Sequence, residues 1–201
     1  MRHIDAFCHF FPRGLFEKMS QTAGGTKDIG KRMQGVRTIY DLDARLRMMD
    51  EFDDYTEILS LGLPPIEAMA GPDRAPEFAR VANDGLAELC AKHPDRFAGY
   101  VGALPMGAPD AAAKEAERIL IDGNANGLQL HTNVNGACLD EPRFFPIFEI
   151  AALQEICRNL RALQHQTALR LMGGRLDRCI EQRLVRNDSA DFDPTDRKSV
   201  V

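Results

Sequence analysis

Two histidines stand directly after apolar segments: His9 after HIDAF at residues 3–7, and His131 at the end of GLQLH at 127–131. A neutral imidazole at such a place can bind a metal ion or move a proton. Asp5 with His9 makes an imidazole–carboxylate pair of the kind that suits zinc and similar ions. Four residues of regular strand would set both on one face. Two ligands do not complete a catalytic site, which needs three protein ligands and an open position. His131 begins the sequence HTNVNG, so that a His, a Thr and two Asn (Asn133 and Asn135) fall within five residues. That cluster suits a small polar ligand. Asn135-Gly136 is equally a turn signal. Ser60 ends the apolar run TEILS and is a third polar group at a segment end. Cys8 beside His9 is either an activated thiolate or a small buried hydrophobe, the commoner case. His93 before Pro94 reads as helix-end capping, and His3 and His165 carry no signal. The pairs Met48-Met49 and Phe144-Phe145 fall at helical core positions.

The elements that must position these groups follow from periodicity. HIDAF predicts a strand, broken by Pro12 and Gly14. Residues 20–38 predict a long loop. Leu42, Leu46, Met49 and Phe52 recur at helical spacing behind Asp41, a plausible N-cap. A strand over 56–62, a helix starting between Pro72 and Pro76, and a strand over 97–104 come next. The alanine-rich helix AAAKEAERILI, capped by Asp110 and closed by Gly123, precedes a strand over 127–131. A polar loop over 132–141 and a helix from Pro142 complete the pattern. Strand then helix, four times, predicts an α/β protein with a parallel sheet, either doubly wound or a (β/α) barrel. In both, ligands gather at the carboxyl ends of the strands, where His9, Ser60 and His131 fall. No glycine-rich phosphate-binding motif occurs, so nucleotide cradling is unsupported.

The chain has 201 residues, 44% hydrophobic and 27% charged, which excludes a disordered chain or a disulfide scaffold. A net charge of -5 gives no electrostatic footprint for nucleic acid or an anionic membrane. No run approaches the roughly 20 apolar residues of a membrane span, and the N-terminus makes a poor signal peptide. Five scattered cysteines without a C-x-x-C pair predict reduced thiols and a cytoplasmic protein. Charge is divided unevenly. Residues 1–153 hold 16 Lys/Arg and 23 Asp/Glu, and residues 154–201 hold 9 and 7.

IDAFCHFFP at 4–12, LDARLRMMDEF at 42–52, ILSL at 58–61, ANDGLAELCAKHPDRFAGYVGALPM at 82–106, GLQLHTNVNG at 127–136 and LDEPRFFPIFEIAA at 139–152 together resemble the amidohydrolase-related superfamily. The resemblance is to the branch that includes aminocarboxymuconate-semialdehyde decarboxylase, and it runs through most of 1–153. It implies a (β/α) TIM-type barrel, here only its first four βα units. It also implies a divalent metal, zinc for preference, serving a hydrolase or decarboxylase that acts on a small carboxylic acid or ester. The family's ligands are a His-x-His pair after the first strand, a His after the fifth and an Asp after the eighth. His9 matches the second His of the pair and is the expected metal ligand. Phe7 stands where the first should be. His131, Asn133 and Asn135 match a loop that lines the family's substrate pocket.

Residues 154–201 carry none of the resemblance. They predict two amphipathic stretches, around Ile156–Leu163 and Leu176–Leu184, and then a disordered end. The abrupt Arg-rich, aromatic-poor change is read as a shifted reading frame or a truncated relative, ahead of an evolved half-barrel. Such a chain is expected to be inactive as written. The alternative is a non-catalytic ligand-binding module, or one in which two copies dimerise through open sheet edges.

Overall fold

The computed structural model describes residues 3–21 and 35–164, with side chains described as far as Gln154. The chain divides into two units, Met1–Gln154 and Glu155–Val201. The sheet and everything said of a site belong to the first. Expectations for residues 22–34 and 165–201 lie outside the described residues, as do the side chains of the stretch around Ile156–Leu163.

Four strands, β1 (His3–His9), β2 (Tyr55–Ser60), β3 (Phe97–Ala103) and β4 (Gly127–Gln129), pair in parallel in the order β1-β2-β3-β4. Between them run α1 (Arg13–Gln21), α2 (Leu42–Met49), the short α3 (Ile66–Met69), α4 (Ala75–Lys92) and α5 (Pro109–Glu117), and α6 (Phe145–Gln164) follows β4. Consecutive strands that neighbour in chain order and curl with helical crossovers make the first half of a TIM-type barrel. The doubly wound alternative needs an order that reverses, and this one does not.

Phe10, Phe11 and Leu15 share one buried cluster with Leu59, Phe78, Leu86 and Phe97. On α4, Phe78, Ala79, Ala82 and Leu86 recur at helical spacing and are fully buried. Asp41 caps α2 as its sequence implies, accepting from the Ala44 N–H at 3.1 Å. That bond, with the Arg37 guanidinium, holds its carboxyl below the usual range.

Several boundaries differ from the sequence expectation. β1 ends before Pro12 as expected, but residues 13–21 then form α1, where the sequence reading placed no helix. Proline just ahead of a helix costs nothing, and Leu15 and Met19 have a core to bury against. Asp110 lies in the first turn of α5 rather than capping it, while Gly123 closes the run as expected, after a π turn over Arg118–Asp122. The expected loop over 132–141 contains a hairpin, β5 (Asn133–Val134) with β6 (Ala137–Cys138). Of the Phe144-Phe145 pair only Phe144 is buried, because a 3-10 turn over Pro142–Phe144 rotates the two apart. Phe52 falls past the end of α2 and is exposed.

Candidate active-site face at the strand ends

At the carboxyl end of β1 the strand is irregular. Asp5 pairs with Glu57 and Cys8 with Leu59, so β1 carries one residue more than β2 across the same interval. The Asp5 carboxylate stabilises this bulge by accepting from the Phe7 N–H at 2.9 Å. Asp5 and His9 therefore sit in register with Glu57 and Ser60, three apart on β2 and so on opposite faces. The imidazole–carboxylate pair that a regular strand would make is undone by the extra residue. Asp5 instead accepts from the Tyr55 hydroxyl at 3.1 Å.

His9 Nδ1 lies 2.9 Å from Ser60 Oγ, and Ser60 Oγ donates to the Cys8 carbonyl at 2.8 Å. Burial, reinforced by the Arg45 charge and opposed by Asp5, lowers the His9 pKa below its ordinary 6.5. This favours the neutral ring, the form that a metal ligand or proton acceptor must take. Phe7 packs its ring edge-on to His9, at 4.9 Å between centroids, and is otherwise exposed. Cys8 is buried and donates to the Ile58 carbonyl. Burial, then the Glu57 charge, pushes its thiol up to about 12, which excludes an activated thiolate.

A narrow crevice with room for about one water lies over the ends of β2, β3 and β4, lined by Gly62, Glu67, Ala103, Met106, Gln129 and His131 among others. Gly62 joins His9 to this crevice. A Cβ at Gly62 would stand 3.3 Å from Phe11, which would have to give slightly, and in ordinary contact, at 3.5 Å, with the His9 ring. Asn83, fully buried on α4, grips the end of β3. Its side chain donates to the Ala103 carbonyl and accepts from the Ala103 N–H, both at 2.9 Å, and donates to Glu115 at 2.7 Å.

The structure brings His9 and Ser60 into contact at the ends of β1 and β2 and places His131 just past the end of β4, at the same carboxyl end of the sheet. Asn133 and Asn135 serve the hairpin. Asn133 Oδ1 accepts from the Gly136 N–H at 3.0 Å, while Asn135 and Gly136 take φ of 51° and 86°. These are the two left-handed positions of a type I′ turn, which Asn-Gly fits. Gln129 and Glu67 line the crevice without having been singled out from the sequence. Gln129 is two residues from His131, and a polar side chain inside an apolar strand was the available signal.

Among the described residues no group of three or more His, Cys, Asp or Glu side chains is placed to hold a metal ion. With Phe7 in the place of a ligand and Asp5 on the other face, these residues alone do not fit a metal centre. Among the same residues, no helix is long and apolar enough to cross a membrane.

A family model described as "Amidohydrolase" matches residues 4–178. γ-Resorcylate decarboxylase of Rhodococcus jostii is 43% identical over 115 residues, covering 53% of this chain and 35% of that enzyme. The 2-amino-3-carboxymuconate-6-semialdehyde decarboxylase of Dictyostelium discoideum is 34% identical over 110 residues, covering 55% and 30%. Among solved structures, a dihydroxybenzoic acid decarboxylase from Polaromonas, with bound manganese and the inhibitor 2-nitroresorcinol, superposes with a TM-score of 0.57 at 31% identity, covering 77% of this chain and 47% of that one. The chain thus spans about a third of the length of the curated relatives it matches, and about half of the solved one.

Proposed function

The chain belongs to the amidohydrolase family, and from that premise we propose that its residues supply the first half of the barrel of a carboxy-lyase acting on a small aromatic carboxylic acid. The relatives at 34–43% identity are decarboxylases, which favours carboxy-lyase over hydrolase chemistry. The observation that carries the reading is His9. It ends β1, burial favours its neutral ring, and it adjoins Gly62 of the crevice that Gln129 and His131 line.

Decarboxylation breaks the bond between ring carbon and carboxylate, leaves the electron pair on the ring carbon and requires a proton there. This chain's part is to hold the acid at the strand ends. Gln129 and His131 at the rim offer hydrogen bonds to carboxylate or hydroxyl oxygens, while the crevice they line is itself too small for an aromatic ring, so the ring's place must be completed by groups beyond it. A divalent metal, manganese or zinc, fits the reading only for a complete barrel. His9 is the one donor placed for it, and the others must come from outside the described residues. The described residues by themselves are therefore not expected to hold the ion, and the chain as given is expected to be inactive unless the remaining residues supply the missing ligands.

Two measurements test this. The purified chain, loaded with Mn²⁺ and dialysed, should retain far less than one metal ion by elemental analysis and release no CO₂ from γ-resorcylate. Stoichiometric metal would overturn the incomplete-centre reading. Grafted in place of the matching part of the Rhodococcus enzyme, residues 1–154 should support decarboxylation that Phe7→His raises and His9→Ala abolishes. Turnover indifferent to His9, or ester hydrolysis in its place, would reject the assignment.

A second reading rests on a different observation. Ile4 and Phe7 are 57% and 79% exposed on β1, which is an edge of the sheet. Such an edge favours self-association of the chain.

A further inference from the structure

We infer that Ser60 is a positioning residue that locks neutral His9 in the Nδ1–H tautomer and leaves Nε2 as the ring's lone-pair nitrogen. A serine hydroxyl has one proton to donate and lone pairs to accept with, whereas a backbone carbonyl only accepts. Ser60 Oγ is 2.8 Å from the Cys8 carbonyl oxygen, a distance that two acceptors do not keep, so the hydroxyl proton lies between them. Nothing is then left on Ser60 to donate to His9. The 2.9 Å contact with Nδ1 is made only if the imidazole donates, which puts the single ring proton of neutral His9 on Nδ1.

The direction of this short chain, ring to hydroxyl to carbonyl, is fixed at its far end by a β1 backbone group that cannot titrate. Both contacts cross between β1 and β2, whose register sets His9 beside Ser60 and Cys8 beside Leu59. Ser60 is 6% exposed, so water competes poorly for its hydroxyl. Among the described residues Nε2 makes no hydrogen bond, and Phe7 meets the ring only by an aromatic edge contact. The sheet thus presents an oriented acceptor nitrogen, opposite to the Nε2–H form that a free histidine side chain favours. The inference concerns the state of the ring and rests on the proposed function only for what that nitrogen would be used for.

Long-range ¹H–¹⁵N correlation spectra of the full chain, metal-free, above the His9 titration, decide it. His9→Gln assigns the signals. The wild-type ring should show a protonated-type Nδ1 and an unprotonated-type Nε2. Ser60→Ala should move the ratio about tenfold toward Nε2–H, the size of one net hydrogen bond, and Ser60→Thr should restore the wild-type pattern. An Nε2–H ring in the wild type overturns the inference. So does a Ser60→Ala chain, folded by circular dichroism, whose ring stays Nδ1–H. Should Ser60→Ala fail to fold, the wild-type pattern decides alone. No metal or substrate is present, so a chain without turnover still reports its tautomer.

Discussion

Charge at single residues is managed most expensively behind β1 and β2. Glu57 is fully buried, and Arg45 Nε from α2 donates to its carboxylate at 2.9 Å. Taking both ions from water is repaid only while each has the other. Arg45→Met should therefore cost about 3–5 kcal/mol, because it leaves a carboxylate alone in the core. Urea unfolding should show the double variant Arg45→Met with Glu57→Leu losing far less than the single. Equal losses would mean that the pair does not act as a unit. The same pair governs its neighbours. The carboxylate raises the pKa values of the Cys8 thiol and the Tyr55 hydroxyl after burial has done so, and the guanidinium helps keep His9 neutral. Burial leads in all three shifts, and a member of one buried ion pair that no spacing rule points to adds to each.

At the scale of elements, the approach of α4 to the segment after β1 decides how the first strand end is held. Gly85 lies in the middle of α4, where glycine is normally a cost of about 0.5–1 kcal/mol against alanine. Its place is explained by Pro12. A Cβ on Gly85 would come within 2.4 Å of the Pro12 ring, which cannot rotate away. Gly85→Ala should accordingly destabilise by about 1–3 kcal/mol in thermal unfolding despite its better helix propensity. Pro12→Ala should relieve much of that loss when combined with it. A stabilised Gly85→Ala chain would show that α4 packs less closely than described. The hold of Asn83 on Ala103 is of the same kind. One buried amide satisfies both backbone groups of the last β3 residue and so fixes the rim of the crevice.

For the molecule as a whole, the sheet order leaves β1 and β4 as edges among the described residues. Edges bearing exposed apolar groups pair with whatever strand is offered. Light scattering on the purified chain should show a dimer or larger species, and Phe7→Glu with Ile4→Lys should shift it toward monomer. A wild-type chain that stays monomeric at high concentration would remove the self-association reading and leave the incomplete barrel as the better account.

The repeating strand–helix pattern, the Asp41 cap and the Asn-Gly turn were legible in the sequence, because each is set by local spacing and by backbone preferences of the residues themselves. The family resemblance was legible for the same reason, in motifs such as IDAFCHFFP and GLQLHTNVNG that keep their residues contiguous. Three things were not. The bulge that parts Asp5 from His9 depends on pairing with a strand some fifty residues away. Helix α1 forms where the sequence reading placed no helix, since core contacts outweigh weak local propensity. The Ser60–His9–Cys8 arrangement, the Arg45–Glu57 pair and the grip of Asn83 on Ala103 join residues distant in the chain. Periodicity says which face a side chain takes, but only the packed sheet says what it meets there.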